Sequence, residues 1–136
     1  MAYNISVSKD SKIIICNHRG IIDRDELGTA WQEILNQPEF LELNYNFLTD
    51  IRETTIDLPV EELLSTIDVL NSFEYTLNGK RMAFVANTPI TTVLTMLFEY
   101  RMPKDLGMLT KTFSTQEAAL NFVKKQPLTE ERLFLK

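Results

Sequence analysis

"KRMAFVANTP", residues 80 to 89, is the stretch on which the fold turns. Met82 to Ala86 make a nearly continuous apolar run, the pattern of a strand covered on both faces. Thr88-Pro89 then opens a helix, because proline suits the first helical turn. A strand buried on both faces sits inside a parallel sheet, and parallel neighbours need a crossover, usually helical, between them. The next segments fit. "PITTVLTMLFEYRM" (89 to 102) carries helical spacing, Pro103 and Gly107 are expected to break it, and "MLTKTF" (108 to 113) reads as a last strand.

Upstream, "YNISVS" (3 to 8) and "KIIICNHRG" (12 to 20) read as two strands joined by Lys9-Asp10-Ser11, a turn so short that it implies an antiparallel hairpin. "DRDELGTAWQEILNQ" has Asp23 and Glu26 at capping-box spacing and one apolar stripe of Leu27, Ala30, Trp31, Ile34 and Leu35. Pro38 ends that helix. "LNYNFLTDI" (43 to 51) is a third strand, and Pro59 starts a second helix with Leu63, Leu64, Ile67 and Leu70 on its buried face. After the last strand, "STQE" (114 to 117) repeats the capping-box pattern before Ala118, Ala119, Phe122 and Val123.

The order β-β-α-β-α-β-α-β-α predicts an α/β fold: a mixed, mainly parallel five-stranded sheet, an antiparallel N-terminal edge strand and four helices. Residues 1 to 126 are expected to form one domain, with "PLTEERLFLK" (127 to 136) as a tail. Leu128, Leu133, Phe134 and Leu135 give that tail apolar contacts to offer.

Composition narrows the function classes. Fourteen basic against 19 acidic residues leave a net charge of −5, which argues against a nucleic-acid footprint. The N-terminal "MAYNISVSKDSK" lacks a basic region followed by an apolar run, no stretch approaches a membrane span, and a single cysteine allows no internal disulfide. The expected compartment is the cytoplasm. One histidine and one cysteine give no metal-ligand spacing. Glycines at 20, 28, 79 and 107 are too far apart for a phosphate-binding or dinucleotide loop, so no cofactor is expected.

Ligands of open α/β sheets usually bind beyond the carboxyl ends of the strands. That rule selects Asn17, His18 and Arg19, then Asp50, Arg52 and Glu53, then Asn87 and Thr88, and finally Ser114 and Thr115. Asp50, Arg52, Asn87 and Thr88 are the candidate polar contacts. Each also has a structural role to play: Thr88 and Ser114 as helix caps, Asp50 and Arg52 as an ion pair on one strand face. His18 lies two residues after Cys16, on the same face of a regular strand. A separation of roughly 6.5 Å along the axis argues against direct contact and against a nucleophilic dyad.

The third helix carries the stronger signal. Ile90, Val93, Leu94 and Leu97 form the expected core stripe, flanked by Met96 and Tyr100 on one side and by Phe98 and Met102 on the other. Apolar character then covers roughly two-thirds of the circumference at 100° per residue, more than packing on a sheet requires. Met96, Phe98 and Tyr100 are therefore the candidate docking residues for a neighbouring helix, a partner protein or an apolar ligand.

The runs "FLTDIRETTIDLPVEEL", "KRMAFVANTPITTVLTMLFEY" and "KTFSTQEAALNFV" resemble the SpoIIAA-like proteins, small bacterial domains related to STAS domains and often described beside the SEC14/CRAL-TRIO lipid-binding fold. The resemblance spans residues 40 to 125 and rests on pattern and order. It implies a helix-covered sheet with a binding role. Anti-sigma-factor antagonists of this kind carry a phosphorylated serine in an Asp-Ser-Ser-Gly-like context. "DIRETTIDLPVEE" lacks that motif, and no phosphosite transfers to Thr54 or Thr55.

The functional expectation is a non-enzymatic binding or regulatory module that contacts a partner protein, and a second copy of itself as a homodimer, through the third helix. The alternative is a carrier or sensor of an apolar or lipid-like molecule beside the same helix, its polar head near Asn87 and Thr88.

Overall fold

The computed structural model describes residues 3 to 124, and the tail expected at 127 to 136 lies outside them. Five strands, β1 (Tyr3–Ser8), β2 (Ile13–Ile22), β3 (Asn46–Ile56), β4 (Arg81–Val85) and β5 (Leu109–Phe113), form one sheet in the order β1-β2-β3-β4-β5. β1 pairs antiparallel with β2, and every later pairing is parallel. The expected mixed sheet is therefore present. Lys12, at φ 59, completes the tight hairpin turn between β1 and β2.

Six helices accompany the sheet: α1 (Arg24–Leu35), α2 (Pro38–Leu41), α3 (Val60–Leu70), α4 (Glu74–Leu77), α5 (Pro89–Leu106) and α6 (Gln116–Val123). Two more than the four expected arise because α2 and α4 are single turns inside connections. Pro38 does both jobs: it stops α1 and supplies the first residue of α2.

A sheet whose spatial order repeats its chain order sends successive right-handed crossovers to one face. The buried clusters match. Ala30 and Ile34 of α1, Leu63, Ile67 and Leu70 of α3, and Phe98, Met102 and Leu106 of α5 pack on Ile14, Phe47, Met82 and Phe84. The opposite face buries Ile13, Leu48, Ala83 and Val85 under Ala119, Phe122 and Val123 of α6. Asn46, buried between these layers, donates to the Val123 carbonyl at 2.9 Å and accepts from the Arg81 N–H at 2.7 Å.

Among the described residues, Lys80, just before β4, is the most buried that can carry a charge. Its Nζ donates to the carbonyls of Phe40 at 2.7 Å and Tyr45 at 3.2 Å and lies 4.3 Å from the Phe40 ring centroid. Burial pushes this amine down to about 8 from its ordinary 10.5.

Three local expectations are corrected. β3 runs to Ile56 rather than ending at Ile51, because β2 continues beside it and Arg19 to Ile22 pair with Glu53 to Ile56. α5 continues through Pro103 to Leu106. Its last turn is held by buried Leu106, by the Arg101–Asp105 ion pair at 2.8 Å and by Gly107 at φ 71, which closes the helix in the left-handed conformation. The cap of α6 is Thr115, whose hydroxyl accepts from the Ala118 N–H at 3.2 Å, one residue later than Ser114.

The face of α5 is also rotated from expectation. The buried residues are Thr91, Thr95, Phe98, Met102 and Leu106, whereas Ile90 and Val93 of the expected core stripe are 74% and 59% exposed. The threonines enter the core because the helix satisfies their hydroxyls: Thr91 Oγ1 donates to the Thr88 carbonyl at 3.2 Å and Thr95 Oγ1 to the Thr92 carbonyl at 2.9 Å. What remains facing the sheet is a methyl group. Phe98 then packs on Phe84 with ring centroids 5.6 Å apart.

Candidate functional site: a polar cleft and an exposed helix face

β4 pairs with β3 only as far as Val85 opposite Asp50, while β2 and β3 run on together to Ile22 and Ile56. The long two-stranded ribbon therefore overhangs the short end of β4. A polar cleft of about 730 Å³ occupies this step. Asn17, His18 and Arg19 of β2 line it together with Asp50, Arg52 and Glu53 of β3. Tyr3 and Asn4 of β1, Asn87 after β4 and Gln116 at the start of α6 complete the wall. The carboxyl-end rule thus brings most of the selected residues to one place, although the ribbon residues lie within strands rather than after them.

Asp50 and Arg52 form the ion pair anticipated on one strand face. Arg52 Nη2 donates to Asp50 Oδ2 at 2.7 Å, Nε reaches both carboxylate oxygens at 3.1 and 3.2 Å, and the Arg52 backbone N–H also donates to Oδ1 at 3.1 Å. This hydrogen bonding raises Arg52 above its ordinary value, and Asp50 is buried beneath it. Arg19 and Glu53 pair more loosely, at 3.6 Å, on the exposed rim. Thr88 does not line this cleft; it caps α5, accepting from the Thr91 N–H at 3.2 Å.

His18 overturns one expectation. Its Nε2 lies 3.4 Å from Cys16 Sγ and its Nδ1 lies 2.7 Å from Glu26 Oε2, so cysteine, histidine and carboxylate do form a buried chain. The axial spacing of two strand residues was the wrong measure, because an imidazole reaches several ångströms from its Cα and side chains lean along the strand. The β2–β3 register also shifts at His18, and such irregularities re-aim side chains. Glu26 was legible only as a cap partner. Asp23 does accept from the Glu26 N–H at 2.9 Å, but the Glu26 carboxylate turns inward to the histidine.

Burial, with Glu26 and Glu33 adding to it, pushes Cys16 up to about 12. Cys16 lines neither the polar cleft nor the neighbouring apolar cavity. A consistent proton placement has Nδ1–H donating to Glu26 and the S–H donating to Nε2, which occupies both ring nitrogens.

The apolar cavity lies on the other side of His18, between Trp31 and Leu27 of α1 and Leu94 and Phe98 of α5, and measures about 60 Å³. Ligand pockets run to roughly 300–1,000 Å³. The space holds a few water-sized volumes, and neither Asn87 nor Thr88 borders it.

On the outside of α5, Ile90, Val93, Met96 and Tyr100 are 74%, 59%, 57% and 69% exposed. Two of the three candidate docking residues, Met96 and Tyr100, belong to this stripe. Phe98 does not: it is core, and is corrected accordingly. Ile90 and Val93 are the other exposed residues of the stripe. Among the described residues no cluster of metal-ligating side chains occurs, and no helix is long and apolar enough to cross a membrane.

The sheet order, the single antiparallel edge and the helix layers define a SpoIIAA-like α/β fold. A solved structure with this fold, described as an uncharacterised protein of the DUF3478 family from Shewanella loihica, is similar over 90% of this chain and 92% of its own, with a TM-score of 0.60 and 15% sequence identity. No protein-family profile matches the sequence, and no curated protein matches it.

Proposed function

We propose that the chain is a binding or regulatory module without a catalytic step, and that it docks a second copy of itself through the outer face of α5. One observation carries this reading: four large apolar side chains stand in water on one helix face, while the inner face buries Thr91 and Thr95 beside Phe98, Met102 and Leu106. Exposed apolar stripes of this kind mark interaction surfaces. Between Ile90 and Tyr100 the helix rises about 15 Å, and Glu99 is its single charged residue there.

The stripe is also self-complementary. Two α5 helices packed antiparallel about an axis between Met96 and Leu97 set Val93 opposite Tyr100 and Met96 opposite Leu97. Each pair then recurs reciprocally on the two sides of the axis, as a two-fold interface requires. The buried Cys16–His18–Glu26 contacts, with the Cys16 thiol held protonated by burial, support a reading without a nucleophilic step. The small apolar cavity offers little support for an acyl-lipid carrier.

Light scattering across a concentration series, with circular dichroism on the same samples, tests the reading. Met96→Glu and Tyr100→Glu are expected to shift the protein toward monomer with the helical signal intact. Wild-type protein that remains monomeric up to about 100 μM, where even a weak specific dimer of about 10 μM affinity would form, refutes it.

A further inference from the structure

We infer that the polar cleft at the end of β4 binds a small carboxylate bearing neighbouring hydroxyl groups. The key group is Arg52. Asp50 occupies the Nε and one Nη2 donor, which fixes the guanidinium plane. The opposite edge, with Nη1, makes no hydrogen bond among the described residues, and the side chain is 36% exposed on the cleft wall. A planar guanidinium held on one side and open on the other is preorganised for a second carboxylate.

The rest of the lining selects the remainder of the ligand. The carboxamides of Asn87 and Gln116 border the cleft and have no hydrogen-bond partner among the described residues. Each offers both a donor and an acceptor, the pairing a hydroxyl group needs. Asn17 and Asn4, joined at 3.4 Å, extend this neutral polar surface on the opposite wall. His18 and Asp50, each more than nine-tenths buried, form the floor, with their hydrogen-bonding atoms already engaged.

Charge sets the upper limit. Arg52 and Arg19 are balanced by Asp50 and Glu53, so the cleft is formally neutral with histidine uncharged. A phosphate dianion would face two carboxylates with no surplus cation. A single carboxylate uses the open guanidinium edge and requires no more. The cleft and the α5 stripe are separate surfaces, so this inference stands or falls apart from self-docking.

Amide and side-chain NMR shifts of the full chain, titrated with glycolate, glycerate and gluconate, provide the test, with glycerol and inorganic phosphate as comparison arms. Saturable shifts at Arg52, Asn87 and Gln116 with a hydroxycarboxylate, dissociating at about 1–10 mM or tighter, are expected, with none from glycerol. Arg52→Lys keeps a partner for Asp50 but loses the planar edge, and should weaken binding about tenfold. Asn87→Ala, at an exposed position with no hydrogen-bond partner among the described residues, should weaken it about threefold with the fold unchanged. Three outcomes overturn the inference: no saturable shift with any of the three acids, tighter binding of phosphate than of glycerate, or undiminished affinity in both variants.

Discussion

Replacing Lys80 by methionine isolates the cost of an ammonium held in the protein interior. The folded amine releases its proton near pH 8, whereas the unfolded one keeps it to about 10.5. Between these values unfolding takes up a proton, so the lysine's contribution to stability rises with pH through that window and is flat below it. The gap from about 8 to 10.5, at about 1.36 kcal/mol per pH unit, amounts to about 3 kcal/mol in full, of which about 2 kcal/mol falls between pH 7.5 and 10. Cys16 opposes this in the wild type: its thiol, normally ionised above 9, resists ionisation to about 12, so the fold loses stability as pH rises past 9. The wild-type profile alone therefore shows only part of the lysine's gain. Subtracting the Lys80→Met profile removes the cysteine and every other shared group. Urea unfolding of both proteins at pH 7.5 and 10 is expected to show the wild type gaining about 2 kcal/mol relative to the variant. The offset at pH 7.5 mixes relief of the buried charge with about 1–3 kcal/mol for each carbonyl of Phe40 and Tyr45 left unpaired, but that offset does not affect the slope. Parallel profiles, differing by less than about 0.5 kcal/mol between the two pH values, would refute the account of Lys80 as an amine disfavoured by burial.

Other substitutions probe the corrected face of α5 and the thiol. Phe98→Ala, which removes the ring packed on Phe84, should destabilise the fold by about 3–5 kcal/mol in chemical denaturation, whereas a mere docking residue would cost almost nothing. Thr95→Val exchanges a hydroxyl bonded to its own helix for a methyl of the same shape, and its stability should stay within about 1 kcal/mol of wild type. Cys16 should resist thiol-reactive dyes in the native protein at pH 8 and react fully in denaturant; rapid native labelling would contradict its burial and its protonated state.

Periodicity and connection length made the sheet legible. The short turn before Lys12 dictated the hairpin, and the apolar run at Met82–Ala86 could only belong inside the sheet. The inner face of α5 was hidden by chemistry that a hydropathy pattern does not encode. Threonine reads as polar, yet Thr91 and Thr95 turn their hydroxyls onto the helix backbone and present methyl groups inward. β3 was cut short because Arg52-Glu53-Thr54 read as the end of an apolar strand, and only the partner ribbon of β2 sustains it. The candidate site was half visible: strand ends selected Asn17, Asp50, Arg52 and Asn87, but the inward turn of Glu26 toward His18 depends on α1 lying across β2, which no local spacing reveals.

A sheet laid down in chain order has a consequence for biosynthesis. Each strand leaving the ribosome finds its neighbour already in place, so the hairpin and the first two crossovers can consolidate before the C-terminal third is made. The Asn46 side chain interrupts this orderly growth: its bond to the Val123 carbonyl joins residues 77 apart and must wait for α6. Until translation reaches α6, Ile13 and Leu48 stand uncovered, an apolar face of the kind that exposes a nascent chain to aggregation.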